Sequence, residues 1–372
     1  MKPQLAIGLM SGTSLDGIDA ALVEFHNNAN LPKSPALRYF AHFPLPKTWR
    51  KRLAQLNNHP QIHLQELAEL QLHLGKAFSD AAQKLMQQAQ VSPHDICVIG
   101  SHGQTLFHAP NLAPPLGMSL QIGHPAIIAK DTGIPVAADF RIDDMALGGQ
   151  GAPLAPAFHQ ILFADLIPVW SSIAVINIGG ISNLTLLDSH QKILGYDLGP
   201  GNGLMDEVCQ HFFHCDYDKN GQIAAAGQVD QSLLQQLKQH PFFQQKPPKS
   251  TGKETFNFQW LQKFPLPSDP KDLMATLNQL TADLIIDALK THQAKIAYLC
   301  GGGALNTTLM QNIQQGSSLP IYSTQALNID PMAIEAMLCA WLGLQRLQQN
   351  PIDLSQITGS SRPTILGGLW CP

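Results

Sequence analysis

Two glycine-rich turns, far apart in the chain, each interrupt an apolar run with the composition of a β-strand. The first, GLMSGTSLDGID, spans residues 8–19, and the second, INIGGISNLT, spans residues 176–185. Glycine with Ser, Thr or Asn between aliphatic runs is typical of a hairpin with an exposed tip. Backbone N–H groups freed by glycine, together with nearby hydroxyls, can surround phosphate oxygens. One such turn would indicate only a hairpin, but two predict phosphate binding.

Composition limits the class of protein and its partners. The 372 residues allow two domains, and 44% hydrophobic with 13% charged residues describe a globular chain. A net charge of -4 gives no general attraction to nucleic acid or to an anionic membrane. The sequence shows no signal-peptide pattern, no apolar stretch of roughly 20 residues, and no CxxC pair among its cysteines. We therefore expect a cytoplasmic protein without a membrane, nucleic-acid or zinc partner.

The same order of elements occurs twice along the chain. Strands are expected at 5–10, 18–24, 96–100, 173–178, 183–187, 193–196 and 296–300, and helices at 61–90, 203–214, 271–292 and 331–347. We expect residues 101–105 to lie just past a strand, over a cleft, and residues 246–257 to form an exposed loop. Gly252-Lys253 in that loop lacks the other residues of a Walker loop, so that interpretation is rejected.

Several polar residues beside these turns and strands suit catalysis or ligand binding. Asp16, just past the first turn, could orient a water on Mg²⁺ at nucleotide phosphates, or it could only cap the turn. Asp197, at a strand end before a glycine loop, suits a general base better than a helix cap. Arg141 follows an apolar strand together with Asp139, where a ligand-binding fork and an internal Asp–Arg pair are equally plausible.

A second group of residues suits recognition of a nucleotide and a sugar. Gly301, Gly302 and Gly303 join a strand to a helix, where a flat ring can slide against the backbone and the helix favours anions. Gln104 and Thr105, in the run SHGQT, supply hydrogen-bonding groups typical of sugar recognition. Glu335, in the last helix, is either a solvated helix residue or a ligand of the cleft.

With these motifs in order, the chain resembles the anhydro-N-acetylmuramic acid kinases, within the superfamily of actin, sugar kinases and heat-shock-chaperone ATPases. The resemblance covers essentially the whole chain. It is carried by the runs 8–17 (GLMSGTSLDG), 101–105 (SHGQT), 138–141 (ADFR), 148–154 (GGQGAPL), 177–183 (NIGGISN), 195–202 (GYDLGPGN) and 300–304 (CGGGA). Any one motif is loose, but the ordered set is specific.

The resemblance implies an α/β fold of two ribonuclease-H-like lobes flanking a nucleotide and sugar cleft, the actin-like ATPase fold. The lobes are expected at 1–168 and 169–372, with the last helix free to return to the N-terminal lobe. The implied reaction uses ATP and Mg²⁺ to phosphorylate the 6-oxygen of 1,6-anhydro-N-acetylmuramic acid while water opens the ring, in cell-wall recycling.

The resemblance also implies roles for individual residues. Asp197 corresponds to the catalytic aspartate. The ATP contacts are expected from Gly12, Thr13, Ser14, Leu15, Asp16, Gly17, Ile18 and Asp19, and with them from Gly179, Gly180, Ser182, Asn183, Gly301, Gly302 and Gly303. Sugar contacts are expected from Gln104, Thr105, Asp139, Arg141 and Glu335, of which Arg141 is our inference for the lactyl carboxylate.

Two alternatives remain open at this point. One is a sugar kinase that phosphorylates a free hydroxyl without hydrolysis. The other is an ATP-driven binding module with no small-molecule acceptor, which is disfavoured because no linker or peptide-binding domain follows Pro372. A homodimer is compatible with the sequence, which indicates no interface.

Overall fold

The strands form two separate mixed sheets in the computed structural model, which describes residues 3–12, 15–26, 34–58, 61–114, 116–189, 193–247 and 249–372. The strands are β1 (Gln4–Ser11), β2 (Gly17–Phe25), β3 (Ala36–Pro44), β4 (Ile96–Ala113), β5 (Leu116–Ile122), β6 (Val136–Ala138), β7 (Ser172–Ile178), β8 (Ile181–Asp188), β9 (Ile193–Pro200), β10 (Ile296–Cys300), β11 (Ile321–Ser323) and β12 (Gly368–Trp370).

The two sheets repeat one strand order. In the first, β1, β2 and β3 run antiparallel in sequence, β4 adds parallel to β1, and β6 adds parallel to β4. In the second, β7, β8 and β9 run antiparallel, β10 adds parallel to β7, and β11 adds parallel to β10. The first sheet also has β5 on β4 and β12 antiparallel to β6. This order is that of a ribonuclease-H-like sheet, so the predicted α/β fold with two such lobes is confirmed.

Helices cover the sheets. They are α1 (Lys47–Asn58), α2 (Leu64–Ala89), α3 (Pro125–Thr132), α4 (Phe140–Ala146), α5 (Ala155–Leu162), α6 (Ile167–Trp170), α7 (Asn202–Val208), α8 (Gln222–Ala225), α9 (Gln231–Lys238), α10 (Pro241–Gln244), α11 (Phe258–Leu261), α12 (Pro270–Thr291), α13 (Thr307–Gln315) and α14 (Ile334–Leu347). A short π-helix, Cys209–Phe213, continues α7. Within the described ranges, no helix has both the length and the apolar character that a membrane span requires.

Two local expectations were wrong, and a third holds except at one residue. The strand expected at 96–100 runs on to Ala113, because its second half pairs with β5, so residues 101–105 lie inside a strand. The last helix begins at Ile334 rather than at Pro331, whose carbonyl instead accepts a hydrogen bond from the Gly301 amide at 2.8 Å. The described residues of 246–257 form a loop, as expected, and they are exposed or half-buried except Phe256, which is buried in an apolar cluster.

The chain divides into two compact units, one of residues 1–165 with 333–372 and one of residues 166–332. We call them unit 1 and unit 2. In unit 1, helix α14 lies directly on β1 and β4. A Cβ added to Gly8 would collide with the Ala336 carbonyl, and one added to Gly100 with the Cys339 carbonyl. Glycine at these two positions therefore allows the helix backbone to touch the sheet.

Unit 2 has two apolar clusters. One packs α12 and α13 against β7, β8, β9 and β10, and includes Ile176, Leu184 and Leu299. The other packs α7, α9 and α11 against the first half of α12, and includes Met205, Trp260 and Leu277. The second cluster holds α7 at the end of β9, and Gly201 alone separates the strand from the helix.

Candidate active site

The first hairpin of unit 1 joins β1 to β2. The predicted contacts Thr13 and Ser14 lie outside the residues that the structure describes, so Gly12 and Leu15 are the described residues nearest to the tip of this hairpin. The Leu15 amide donates to the Gly12 carbonyl at 3.3 Å, and Leu15 has a left-handed backbone with φ of 60°. Side chains of Leu15 and Ile18 are buried in the core. Only the backbone of these two residues is therefore available to a ligand.

Gln104 supports this hairpin from the neighbouring strand β4. Its Oε1 lies 2.7 Å from the Ser11 hydroxyl, which also lies 2.9 Å from the Gly17 carbonyl. Its Nε2 donates to the Gly12 carbonyl at 3.4 Å. Next to it, the Thr105 hydroxyl accepts from Gln121 at 3.2 Å. The structure thus assigns Gln104 a positioning role, and the sugar contacts expected of Gln104 and Thr105 remain predictions.

Two carboxylates stand near the tip of the hairpin. Asp16 is exposed, and Asp19 is half-buried and pairs with His42 at 2.8 Å between Oδ1 and Nδ1. The hydrogen bond that the His42 ring donates to Asp19 is the largest cause of the raised pKa of His42. Burial lowers this pKa, and the charges of Asp19 and then Asp16 raise it further. Mg²⁺ in phosphoryl-transfer sites is held by one or two carboxylates and by substrate phosphates. Asp16 and Asp19 fit that donor set.

Arg141 is fixed at the start of α4. Its Nε donates to His102 Nε2 at 3.0 Å, and its Nη1 donates to the Gly151 carbonyl at 3.3 Å. His102 Nδ1 lies 3.0 Å from the Gly103 carbonyl, so this nitrogen carries the proton. Burial, and then the charge of Arg141, lower the pKa of His102 to about 3. A neutral imidazole thus holds the guanidinium of Arg141. The ion pair between Asp139 and Arg141, which was the alternative, does not form in the described part of the chain.

Asp139 and Glu335 are carboxylates of unit 1 with raised pKa values. Asp139 takes a left-handed backbone, with φ of 60°, and no described residue donates to its carboxylate. Burial is the main cause of its raised pKa. Desolvation of the Glu335 carboxylate by nearby protein atoms, and then the negative charge of Asp19, raise the pKa of Glu335, while the positive charge of Arg141 lowers it. Because the Glu335 side chain is exposed, water limits that shift. Both remain candidates for hydrogen bonds to sugar hydroxyls.

Asp197 of unit 2 lies at an irregularity in β9, where the β8–β9 register shifts between its partner Asn183 and Ser182. Its Oδ2 accepts from the Thr251 amide at 2.9 Å and from the Ser250 hydroxyl at 3.1 Å. Among the described residues, none donates to its Oδ1. Burial raises the pKa of Asp197, and the two donors oppose that rise. One oxygen is therefore fixed and the other can take a proton.

The second hairpin, Gly179-Gly180 between β7 and β8, is joined to the start of α7. The Gly179 carbonyl accepts from the Asn202 amide at 2.8 Å, and the Gly180 carbonyl accepts from the Gly201 amide at 3.0 Å. Ser182 is fully buried, and its hydroxyl donates to the Gly199 carbonyl at 3.2 Å. Its part in ATP binding, like that of Asn183 beside it on β8, stays a prediction.

The glycine run 301–303 connects β10 to a 3₁₀ turn, Gly302–Leu305, and α13 begins only at Thr307. Side chains at Gly301 or Gly303 would collide with the end of β7. A Cβ at Gly302 would lie 3.3 Å from Asn202 Nδ2. Packing thus explains two of the three glycines, and the expected adenosine contact remains a prediction.

Sequence reasoning missed residues that support the candidate ones. His102 holds Arg141, and the segment Ser250-Thr251 holds Asp197. The run SHGQT was a signal for His102, because a histidine in a buried strand needs a partner. No local signal linked residues 250 and 251 to a strand that is more than fifty residues away.

Comparison with known proteins gives a match over nearly the whole chain. The family model described as "Anhydro-N-acetylmuramic acid kinase" matches residues 4–372. A relative from Hydrogenovibrio crunogenus with that name is 51% identical over 374 residues, covering 99% of this chain and 98% of the relative. Another, from Saccharophagus degradans, has the same name and is 42% identical over 382 residues, covering all of both chains.

Solved structures with similar folds are far more distant in sequence. The component A of (R)-2-hydroxyglutaryl-CoA dehydratase from Acidaminococcus fermentans aligns with a TM-score of 0.47 at 9% identity, over 93% of this chain and 99% of that one. A ROK family glucokinase from Streptomyces griseus, in complex with glucose and AMPPNP, aligns with a TM-score of 0.39 at 12% identity, over 92% and 99%.

Proposed function

This chain belongs to the anhydro-N-acetylmuramic acid kinase family, and on that premise we propose how its residues carry out the reaction. The γ-phosphoryl group of ATP is transferred to the 6-oxygen of 1,6-anhydro-N-acetylmuramic acid while water opens the anhydro ring. The products are ADP and N-acetylmuramic acid 6-phosphate. The observation that carries the assignment of roles is the Asp197 carboxylate, with Oδ2 fixed by two donors and Oδ1 open.

Asp197 is the general base for the attacking water. Its Oδ1 takes a proton from water as the water oxygen bonds to the anomeric carbon and the bond from that carbon to O6 breaks. O6 then bonds to the γ-phosphorus as the bond to the ADP oxygen breaks. Burial raises the pKa of Asp197, so its carboxylate is a stronger base than that of an exposed aspartate.

Arg141 is the contact for the lactyl carboxylate of the sugar. Two of its nitrogens are engaged by His102 and the Gly151 carbonyl, so the plane of the guanidinium is fixed before substrate arrives. A guanidinium fork pairs with a carboxylate through parallel hydrogen bonds. Asp139 and Glu335, which have raised pKa values, are the acceptors for sugar hydroxyls.

ATP contacts are proposed in each unit separately. In unit 1 they are the backbone of residues 12–19, held by Gln104 and Ser11. In unit 2 they are the Gly179-Gly180 hairpin, which is fixed by the start of α7, and the run 301–303. Stabilising charge on the phosphates is the main means of catalysis available to a kinase.

Mg²⁺, a cytoplasmic location and a homodimer belong to this proposal. Asp16 would hold Mg²⁺ through a water and Asp19 stands beside it, and the ion would neutralise phosphate charge when bound. The use of ATP supports a cytoplasmic site of action. The oligomeric state is open to sedimentation analysis.

Mass spectrometry of the product made in ¹⁸O-labelled water tests the reaction. The mixture holds the purified chain, MgATP and 1,6-anhydro-N-acetylmuramic acid. Label on the anomeric oxygen of a 6-phosphorylated sugar is the expected result. A phosphorylated sugar without label would mean a kinase without hydrolysis, and ATP turnover with no sugar product would mean an ATPase module.

A further inference from the structure

The side chain of Lys253 lies across the second hairpin. Its Cε is 2.9 Å from the position that a Cβ would take at Gly180 and 3.3 Å from that of a Cβ at Gly203. The aliphatic stem therefore packs on the backbone of the hairpin and on the first turn of α7, at two positions where glycine allows this close approach. Lys253 is exposed, and within the described residues its ammonium makes no ion pair.

The loop that carries Lys253 is also the loop that holds Asp197. The Asp197 amide donates to the Lys249 carbonyl at 3.1 Å, and Ser250 and Thr251 donate to the Asp197 carboxylate. Lys253 follows Thr251 by two positions, which is at most about 7 Å of extended chain. One short segment therefore fixes the carboxylate and brings a cation to the hairpin.

The charge of Lys253 acts on a neighbouring carboxylate, that of Asp206. Burial raises the pKa of Asp206 to about 7. Among the neighbouring charges, Lys253 has the largest effect on this pKa, and it opposes the rise. Asp216, Asp218 and Glu207 act on Asp206 in the opposite sense. Phosphates bound at this hairpin would add negative charge beside Lys253, whose side chain lies on the hairpin, and its ammonium would offset their repulsion from Asp206.

We propose that the Lys253 ammonium binds the γ-phosphoryl group of ATP at the Gly179-Gly180 hairpin and positions it relative to Asp197. The inference rests on the proposed function, because it takes the hairpin as the phosphate contact. The γ-phosphoryl group is the part of ATP concerned, because the same loop holds the carboxylate that acts at the reacting end of the sugar. Lysine binds phosphate as a compact charge on a flexible stem, which suits a group that moves during transfer.

Isothermal titration with ADP and with AMPPNP separates this role from a structural one. Lys253→Gln should weaken AMPPNP binding by about 10- to 100-fold, because a hydrogen bond to a charged group is lost. ADP binding should change by less than about twofold, because ADP has no γ-phosphate. Lys253→Arg should restore most of the AMPPNP affinity. Lys290→Gln, an exposed lysine at the end of α12, is the control for loss of charge.

Kinetics and a double variant complete the test. Lys253→Gln should lower kcat about 10²-fold, as does loss of one preorganised donor to a developing charge, with an unchanged melting temperature. Equal loss of ADP and AMPPNP affinity, or no loss of either, would overturn the proposal. So would full recovery of AMPPNP affinity on adding Asp206→Asn, which would show that Lys253 serves only Asp206. If the wild-type chain makes no phosphorylated sugar, the proposed function fails. The comparison of ADP with AMPPNP affinity is measured without sugar, so it tests the role of Lys253 separately.

Discussion

Replacement of Asp197 by Asn tests the role of its open carboxylate oxygen. The Asn carbonyl can accept the hydrogen bonds that Ser250 and Thr251 now donate to Oδ2, at 3.1 and 2.9 Å. The amide group then takes the place of Oδ1, where it cannot accept a proton. The local structure is preserved, and only the base is removed.

The expected loss follows from that substitution. A general base contributes about 10²–10⁴ in rate, so kcat should fall by that factor, or about 3 to 5 kcal/mol of transition-state stabilisation. Affinity for ATP should stay within about twofold of wild type, because no proposed ATP contact is changed. Formation of N-acetylmuramic acid 6-phosphate, followed by mass spectrometry, and titration with AMPPNP measure the two quantities.

Stability distinguishes loss of the base from loss of the fold. The folded pKa of Asp197 is raised, so ionisation of this buried carboxylate destabilises the folded state as pH rises from the unfolded pKa through the folded one. Asp197→Asn removes that cost, and its melting temperature at pH 7 should equal or exceed that of wild type. Asp80→Asn, on the exposed face of α2, is the control for a lost charge. Turnover of Asp197→Asn within threefold of wild type would refute the assignment of Asp197 as the base.

Three further predictions concern other parts of the chain. Arg141→Ala should raise the KM for the sugar about tenfold or more and leave the KM for ATP unchanged; an unchanged sugar KM in steady-state assays would refute the carboxylate contact. Ser250→Ala removes a donor to the ionised form of Asp197, so the acid limb of the kcat–pH profile should move to higher pH with a similar plateau; a limb that stays in place would exclude this coupling. Gly8→Ala should lower the free energy of unfolding by about 1–3 kcal/mol or more, because the methyl group meets the Ala336 carbonyl; urea denaturation with an unchanged midpoint would contradict it.

Local sequence predicted the parts of the fold that local physics determines. Glycine between aliphatic runs predicted both hairpins. The helical spacing of Leu67, Leu70, Leu74 and Phe78 predicted α2, which buries the last three and leaves Leu67 half-buried. The repeated order of strands followed from the same signals. The sequence could not show that the strand at 96–100 continues, because that extension depends on pairing with β5.

The support of the candidate site depends on contacts between distant segments, which local patterns do not report. Loop 246–257 looks like an exposed connection in sequence, yet it fixes Asp197 and lies on the second hairpin. Ser182 looks like a ligand at a glycine turn, but its hydroxyl is used inside the sheet by the Gly199 carbonyl. In both cases the amino-acid types indicated polar contacts, but the sequence did not show which groups they contact.

The discontinuity of unit 1 bears on the order in which the chain folds during synthesis. Residues 166–332 leave the ribosome as one uninterrupted segment, and every strand of the second sheet belongs to it. Helix α14 comes later, and until it emerges Gly8 and Gly100 of the first sheet lack the backbone that covers them. We therefore expect the middle of the nascent chain to acquire its native structure first. Residues 1–165, although they are made before this middle segment, then complete their core only when residues 333–372 have emerged.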